Sequence, residues 1–468
     1  MGGLSSEPCA LGSRAPRKKE FPIRITAVTF ILTLCVICQS IFARPNPHPA
    51  NPPEETREAR VAWLQGHAAQ INSLDPNDTD FADLTSLGKA IADARVVMLG
   101  EQSHGDGAVF LAKTRIIRYL HEKRGFDVLV FESGLYDMAK VWAYLQQGEE
   151  PVKAVRRGVF GIWNGSQEFQ PLIDYIGQVR QRNHPLKIAG CDDQFTGTAA
   201  REFFRTDLRA FLDTRHIDMK TIANLSEFWQ ILDAIIERPY DKERVSKDRQ
   251  TLFFSAWDEI CQQVNTLPGR DAELVFWIQL LRSTRAYAKQ VFEYDPNLQV
   301  FGAAANSGVR DAQMAENLLW LEQKRYPGCK IIVWAATDHI TKNPTTIVTN
   351  PPGGYAGFSS MGHIVAKELG DQSYAIGFIA SEGQMGVWRM PPRKLEATDP
   401  GSLEGLFSST TFQNAFLDLR RVPASCLWLH SPIRSGLLGY SPFTADWSKV
   451  LDGIIYTRVM KPSTRAAR

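Results

Sequence analysis

The sequence predicts an α/β fold: a mostly parallel central sheet flanked by helices, with a large helical insertion covering the carboxyl edge of the sheet. Three observations carry that prediction. Short apolar runs bounded by polar or glycine residues recur along the chain, the pattern of strands buried on both faces. Segments with amphipathic spacing separate them, and strand-helix-strand order with right-handed crossovers builds a parallel sheet. Between 201 and 325 the apolar runs give way to helical spacing alone.

At the amino terminus, Arg14, Arg17, Lys18, Lys19 and Arg24 precede an uncharged stretch from Ile25 to Ala43. A basic segment, an apolar segment and a small residue before Arg44-Pro45 form the layout of a secretory signal cleaved after Ala43. An uncleaved membrane anchor is the competing reading, because 19 uncharged residues are about enough to span a bilayer. Either reading exports the rest of the chain to the periplasm or beyond, the anchor leaving it tethered. Residues 44–60, with five prolines, read as an extended linker. The remainder divides into an N-terminal α/β part (61–200), the helical insertion (201–325) and a C-terminal α/β part (326–468).

Within the α/β parts, five runs read as strands. Arg95–Leu99 leads into Gly100, Asp127–Phe131 into Glu132, and Leu186–Ala189 into Gly190-Cys191-Asp192-Asp193. Lys330–Trp334 leads into Ala335 and then Asp338-His339, and Tyr374–Phe378 runs towards Glu382-Gly383. Ala108–Lys123, Leu135–Gln147 and Pro171–Gln181 have helical spacing, as do 221–238, 246–266, 271–293 and 309–325 inside the insertion.

Composition sets the boundaries on function. With 44% hydrophobic residues among 468, the chain has material for a large core. A formal net charge of +2 gives no reason to expect nucleic acid as a partner. Cys191, Cys261, Cys329 and Cys426 are scattered, so no disulfide framework is expected. There is no Gly-x-Ser-x-Gly nucleophile elbow, Walker loop or dinucleotide glycine fingerprint. Ser103 has nothing at its spacing that would activate it as a nucleophile.

In open parallel sheets, sites form outside the carboxyl ends of the strands. Glu101, His104, Glu132, Asp192, Asp193, Asp338 and His339 all come after a strand at that edge. An imidazole titrates near neutrality and can take a proton from water and return it to a leaving group. A neighbouring carboxylate fixes its tautomer and stabilises the imidazolium. If the strands ending at Leu99 and Phe131 are neighbours, Glu101 and Glu132 both flank His104, and burial raises the pKa of one of them. The amides around Gly105, at the start of a helix, are candidate oxyanion donors. Structural roles compete: Glu101 and Glu132 as satisfiers of loop amides, Asp192 and Asp193 as turn formers, Trp163 and Trp334 as core aromatics. The histidines at 48, 67, 121, 184, 216, 363 and 430 lack a strand-edge context and read as surface or packing residues.

An ordered set of motifs runs through Leu99-Gly100-Glu101-Gln102-Ser103-His104-Gly105, Lys113, Gly125-Phe126, Glu132-Ser133, Phe160-Gly161-Ile162-Trp163 with Glu168, and Gly190-Cys191-Asp192. It continues in Arg310-Asp311-Ala312-Gln313-Met314-Ala315-Glu316-Asn317, Val333-Trp334-Ala335 through His339, and Tyr374–Phe378, covering roughly residues 85–460. This set resembles the erythromycin esterase family. The resemblance implies an α/β fold with a deep cleft and hydrolysis of a lactone or other carboxylic ester by activated water, without a covalent intermediate. It carries over His104 as the general base, Glu101 and Glu132 as the carboxylates that hold it, and His339 as a second cleft histidine. Lys113, Asp338 and Asp192 are then the expected substrate-binding residues.

The family commonly has Trp-Ala-His-Asn-x-His in the late strand, whereas here Ala336 and Thr337 occupy the first histidine and asparagine positions. A methyl group can neither donate to an oxyanion nor bind a metal, which weighs against a macrolide substrate and leaves hydrolysis open. No cofactor is expected under this reading. Two other readings compete: a metal hydrolase with a divalent ion held by Glu101, His104, Glu132 and His339, which also weakly resembles Tiki-type metalloproteases, and a ligand-binding homologue that has lost catalysis.

Overall fold

The computed structural model describes residues 55–237, 245–294 and 304–467. The signal or anchor expected at 1–43, most of the expected linker, and parts of the insertion at 238–244 and 295–303 lie outside the described residues. The far end of the expected linker is helical rather than extended. Thr56 accepts a hydrogen bond from the Ala59 amide (3.2 Å) and caps a helix at Arg57–His67. A threonine cap with Glu58 in the first turn starts a helix strongly enough to reclaim these residues from the prolines before them. Among the described residues no helix is long and apolar enough to cross a membrane.

The strands in chain order are β1 (Ala69–Gln70), β2 (Val96–Leu99), β3 (Phe126–Gly134), β4 (Lys187–Asp192), β5 (Lys330–Trp334), β6 (Ser373–Met385), β7 (Arg393–Lys394), β8 (Asn414–Asp418), β9 (Ile433–Leu438), β10 (Ser441–Ala445) and β11 (Gly453–Met460). Among the described residues, the main sheet has nine strands in the order β1-β8-β11-β6-β2-β5-β3-β4, with β7 paired to β6. From β11 to β4 every pairing is parallel, while β8 is antiparallel to β11 and β1 to β8. Strands β9 and β10 form a separate antiparallel hairpin.

Both faces of the sheet are covered. Along β2, Val96 and Met98 enter one apolar cluster while Val97 and Leu99 enter the other. Val128/Val130 against Leu129/Phe131, and Ile331/Val333 against Ile332/Trp334, repeat the alternation. This is why these strands read as unbroken apolar runs.

The helix at Gly107–Arg124 comes after β2 and ends at Gly125, whose φ of +72° supplies the left-handed cap. Helices at Leu135–Gln146 and Gln170–Val179 are the other long helices of the amino-terminal half. Among the described residues, Ala199–Arg325 contains only helices and turns: Ala199–Thr214, Leu225–Glu237, Lys247–Thr266, Ala272–Glu293 and Ala304–Trp320 are its long helices. The last is fastened to the end of β4 by Asn317, whose Nδ2 donates to the Cys191 carbonyl (2.9 Å). That contact delivers Arg310 and Asp311 to the carboxyl edge of the sheet.

Candidate functional site

Gly100 and Glu101 come directly after β2, and the loop is pressed against neighbours too close for side chains. A Cβ on Gly100 would lie 2.6 Å from Thr337 Oγ1, and one on Gly105 would lie 2.4 Å from the Gly386 carbonyl carbon. Glycine at these positions lets the backbone fold tightly enough for Glu101 to reach the His104 ring. Glu101 is buried and receives three donors. His104 Nδ1 lies 2.8 Å from Oε1, Trp163 Nε1 donates to the same oxygen (2.7 Å), and Lys113 Nζ donates to Oε2 (2.6 Å). The Glu101 contact fixes the His104 ring with Nδ1 inward.

The His104 side chain is 30% exposed, so the ring is reachable from solvent, and among the described residues no protein group hydrogen-bonds to Nε2. Phe160 and Trp163 pack edge-on against the ring, with centroids 6.2 and 5.3 Å away. Burial disfavours the charged imidazole, but Glu101 and the more distant Glu132 outweigh it and hold the His104 pKa above its usual value.

Glu132 does not flank His104 as expected. Strand β5 lies between β2 and β3, so Glu132, near the end of β3, meets the residues just beyond β5 instead. Glu132 Oε1 accepts from Arg310 Nη2 (2.8 Å) and lies 3.2 Å from His339 Nε2, while Oε2 accepts from the Ala336 amide (2.9 Å). Burial penalises the Glu132 charge, yet His339 and Arg310 hold its pKa well below the carboxylate range.

His339 Nδ1 lies 3.0 Å from both oxygens of Asp311, which also accepts from the Met361 amide. Burial works against a charged ring here too, but Asp311 and Glu132 prevail and raise the His339 pKa well above its usual value. A protonated ring donates through Nε2 to Glu132. The 3.1 Å approach of Arg310 Nη1 to that nitrogen then sets donor against donor, offset by the surrounding carboxylates. Arg310 also grips Asp192 with two bonds, Nε to Oδ1 (3.0 Å) and Nη2 to Oδ2 (2.6 Å), a paired geometry that guanidinium supplies and ammonium does not.

Several expected roles need correction. Lys113 is not a substrate-facing residue: its side chain is fully buried beneath Glu101, bonded also to the Ala335 carbonyl (3.1 Å) and stacked over Trp334. Burial pulls its pKa down against the attraction of Glu101. Asp192 is buried and committed to Arg310, so its role is to hold that cation. Four amides at and after Gly105 are already used: Gly105 N donates to Ser103 Oγ, Asp106 N to Ser103 O, Gly107 N to Gly105 O and Ala108 N to Lys461 O. These four are not free to bind an oxyanion. Asp338 is half-buried and accepts from the Tyr355 hydroxyl, with burial raising its pKa. Asp193 is buried beside Asp192, and burial together with that neighbour drives its pKa well up.

The structure adds residues that sequence reasoning did not assign. Trp163 and Trp334 are core aromatics as read, but Trp163 also anchors Glu101. Arg310 and Asp311 belong to a matched motif, and their helical spacing alone assigns them no role. The four residues of the metal reading divide into two separate centres, Glu101 with His104 and Glu132 with His339. Among the described residues no three or more His, Cys, Asp or Glu side chains are arranged to hold a metal ion.

Arg310→Met leaves the paired charges of Glu132 and Asp192 buried without their shared cation, and the expected loss is about 3–5 kcal/mol. Urea unfolding of wild type and variant checks it, and a loss below about 1 kcal/mol contradicts the arrangement.

Fold and site together define an α/β protein with an imidazole–carboxylate centre at the carboxyl edge of its sheet. The model of the erythromycin esterase family matches residues 121–459, and the chain belongs to that family, which makes it a hydrolase at family level. The matched span includes Glu132, Asp192, Arg310 and His339 and begins downstream of Glu101 and His104. The chain is 25% identical over 427 residues to the Bacillus subtilis (strain 168) protein named "Putative hydrolase YbfO", covering 86% of this chain and 91% of that one. It is 23% identical over 423 residues to erythromycin esterase type II of Escherichia coli, covering 84% and 96%. Its fold recurs in a solved Bacillus cereus structure with a TM-score of 0.71 at 20% identity, covering 88% of this chain and 100% of that one.

Proposed function

We propose that the protein hydrolyses a lactone or other carboxylic ester, with His104 as the general base that activates water. The observation that carries this reading is the His104 ring itself. Nδ1 is fixed on buried Glu101 and Nε2 carries no protein partner among the described residues. Nε2 takes a proton from water as the hydroxide attacks the ester carbonyl, and Glu101 stabilises the imidazolium. The proton then passes to the departing alkoxide. Lys113 and Trp163 hold Glu101 so that it keeps the ring in one tautomer.

His339 is close enough to His104 to act on its charge, and Arg310 lies against His339. Arg310 Nη1, the nitrogen of this pair that no carboxylate holds among the described residues, is the donor left for the negative charge that develops on the carbonyl oxygen, in place of the loop amides. Glu132, Asp192 and Asp311 keep the two cations in the fold. Asp338 stands at the same edge as a substrate contact. Ala336 makes this site one histidine poorer than the common family motif, which favours a smaller or differently shaped ester over a macrolide. Export through the N-terminal segment completes the reading.

A pH profile tests it. The base must be neutral to accept a proton, and His104 has a raised pKa. The kcat/KM for ester hydrolysis is expected to rise with pH along a limb whose midpoint lies above 6.5 and then level off. A rate that falls as pH rises through that range contradicts His104 as base.

A further inference from the structure

The hairpin between β9 and β10 turns on two residues, Gly439 and Tyr440, both with φ of +61°. Two positive φ values in a two-residue turn are the hairpin geometry that favours Asn-Gly and related pairs. A bulky tyrosine in the second position is strained, at a cost of about 1–3 kcal/mol, and such strain persists only where the surroundings enforce it. The turn is closed by the Tyr440 amide on the Gly436 carbonyl (3.1 Å) and anchored by Glu404, which accepts from Ser435 Oγ (2.6 Å) and the Gly436 amide (2.8 Å).

This tip grips the loop that carries His104. The Gly439 amide donates to the Gln102 carbonyl (3.1 Å), and Gln102 Nε2 donates to the Gly436 carbonyl (2.7 Å). The Tyr440 hydroxyl donates to Oδ1 of Asp106 (2.8 Å), whose Oδ2 accepts from the Ser103 amide (2.9 Å). Asp106 is fully buried, and burial lifts its pKa to about 7 even with these two donors. From the other side, the Ser463 amide donates to the Gly105 carbonyl (2.7 Å). His104 therefore sits in a loop tied on both flanks, with the strained tyrosine supplying a buried bond at one of them.

We propose that Tyr440 is a positioning residue for His104: through Asp106 it fixes the loop so that Nδ1 stays on Glu101 and Nε2 stays turned to solvent. The proposal rests on the reading of His104 as base for its kinetic consequence, but not for its structural one. A strained turn residue whose hydroxyl reaches a buried carboxylate two residues from the base has a use beyond closing a hairpin. Displacing a catalytic group by about 1 Å can cost a factor of 10² in rate, so part of that range is expected here.

The test is Tyr440→Phe, which removes only the hydroxyl. Ring ¹⁵N spectra of histidine-labelled protein, recorded above the titration range, report the tautomer of His104, whose signals are assigned by their loss in His104→Asn. The wild type is expected to hold the Nδ1–H form, and Tyr440→Phe to show a mixture with the Nε2–H form. With any ester that the wild type hydrolyses, kcat is expected to fall about tenfold with KM unchanged. If Tyr440→Phe does not fold, Tyr440→Asn, which suits the turn, gives the same readouts with the same expectation. An unchanged His104 tautomer in the folded variant overturns the proposal. A shifted tautomer in a protein that hydrolyses no ester upholds the positioning role and removes the hydrolase reading, so the two failures are distinct.

Discussion

His104→Asn is expected to lower kcat/KM for ester hydrolysis by about 10²–10⁴, the range over which general-base catalysis contributes. Asparagine can still donate to Glu101 through Nδ2, so the buried carboxylate keeps its partners. It has no basic nitrogen, and water must then attack without proton removal. Stability is expected to change by only about 1 kcal/mol, because the ring is partly exposed and loses just its edge contacts with Phe160 and Trp163. Steady-state kinetics alongside thermal unfolding separates the two effects. A variant that folds and retains full rate assigns the base elsewhere.

Glu101→Gln is expected to be the more damaging change to the protein as a whole. All three groups around Glu101 are donors, and Lys113 is an ammonium with a fully buried side chain. Glutamine offers one acceptor oxygen, and its amide nitrogen turns a donor towards a donor. Removing one member of a buried ion pair leaves an uncompensated charge, at a cost of about 3–5 kcal/mol. The Lys113→Met companion removes that charge, so the double variant is expected to recover about half the loss without recovering activity. Chemical denaturation of the four proteins in the cycle measures this coupling. Additive losses contradict a direct Glu101–Lys113 pairing.

The strands at the active edge were legible because each is buried on both faces. Lys330–Trp334 coincides with β5, and β2 falls within its expected run. Strands β8 to β11 went unread for a physical reason. Among them only short helices intervene, and β8 pairs antiparallel with both β1 and β11, so the strand-helix rhythm fails there. The edge on which Glu101, His104, Glu132 and His339 meet followed from strand ends alone, but their pairing did not. Spatial strand order is not sequence order, and the insertion of β5 between β2 and β3 reassigns Glu132 from His104 to His339.

Arg310 and Asp311 were hidden by their setting. On a helix rich in charge, a buried Arg–Asp pair has the same spacing signature as a solvated one. Lys113 shows the converse. It was expected at the cleft surface, yet it is the buried counter-charge of Glu101, a role that only three-dimensional packing reveals. The tie from Tyr440 to Asp106 spans 334 positions of chain, beyond any local pattern.

We propose that His104, and not a metal ion, activates the water for ester hydrolysis at this site. The most direct test is the initial rate of the wild-type protein on a panel of lactones and open-chain esters, with and without prior treatment by a chelator. With His104 as the base, at least one ester is expected to turn over at a rate the chelator leaves unchanged. No turnover across the panel, or turnover that the chelator abolishes and a divalent ion restores, contradicts it.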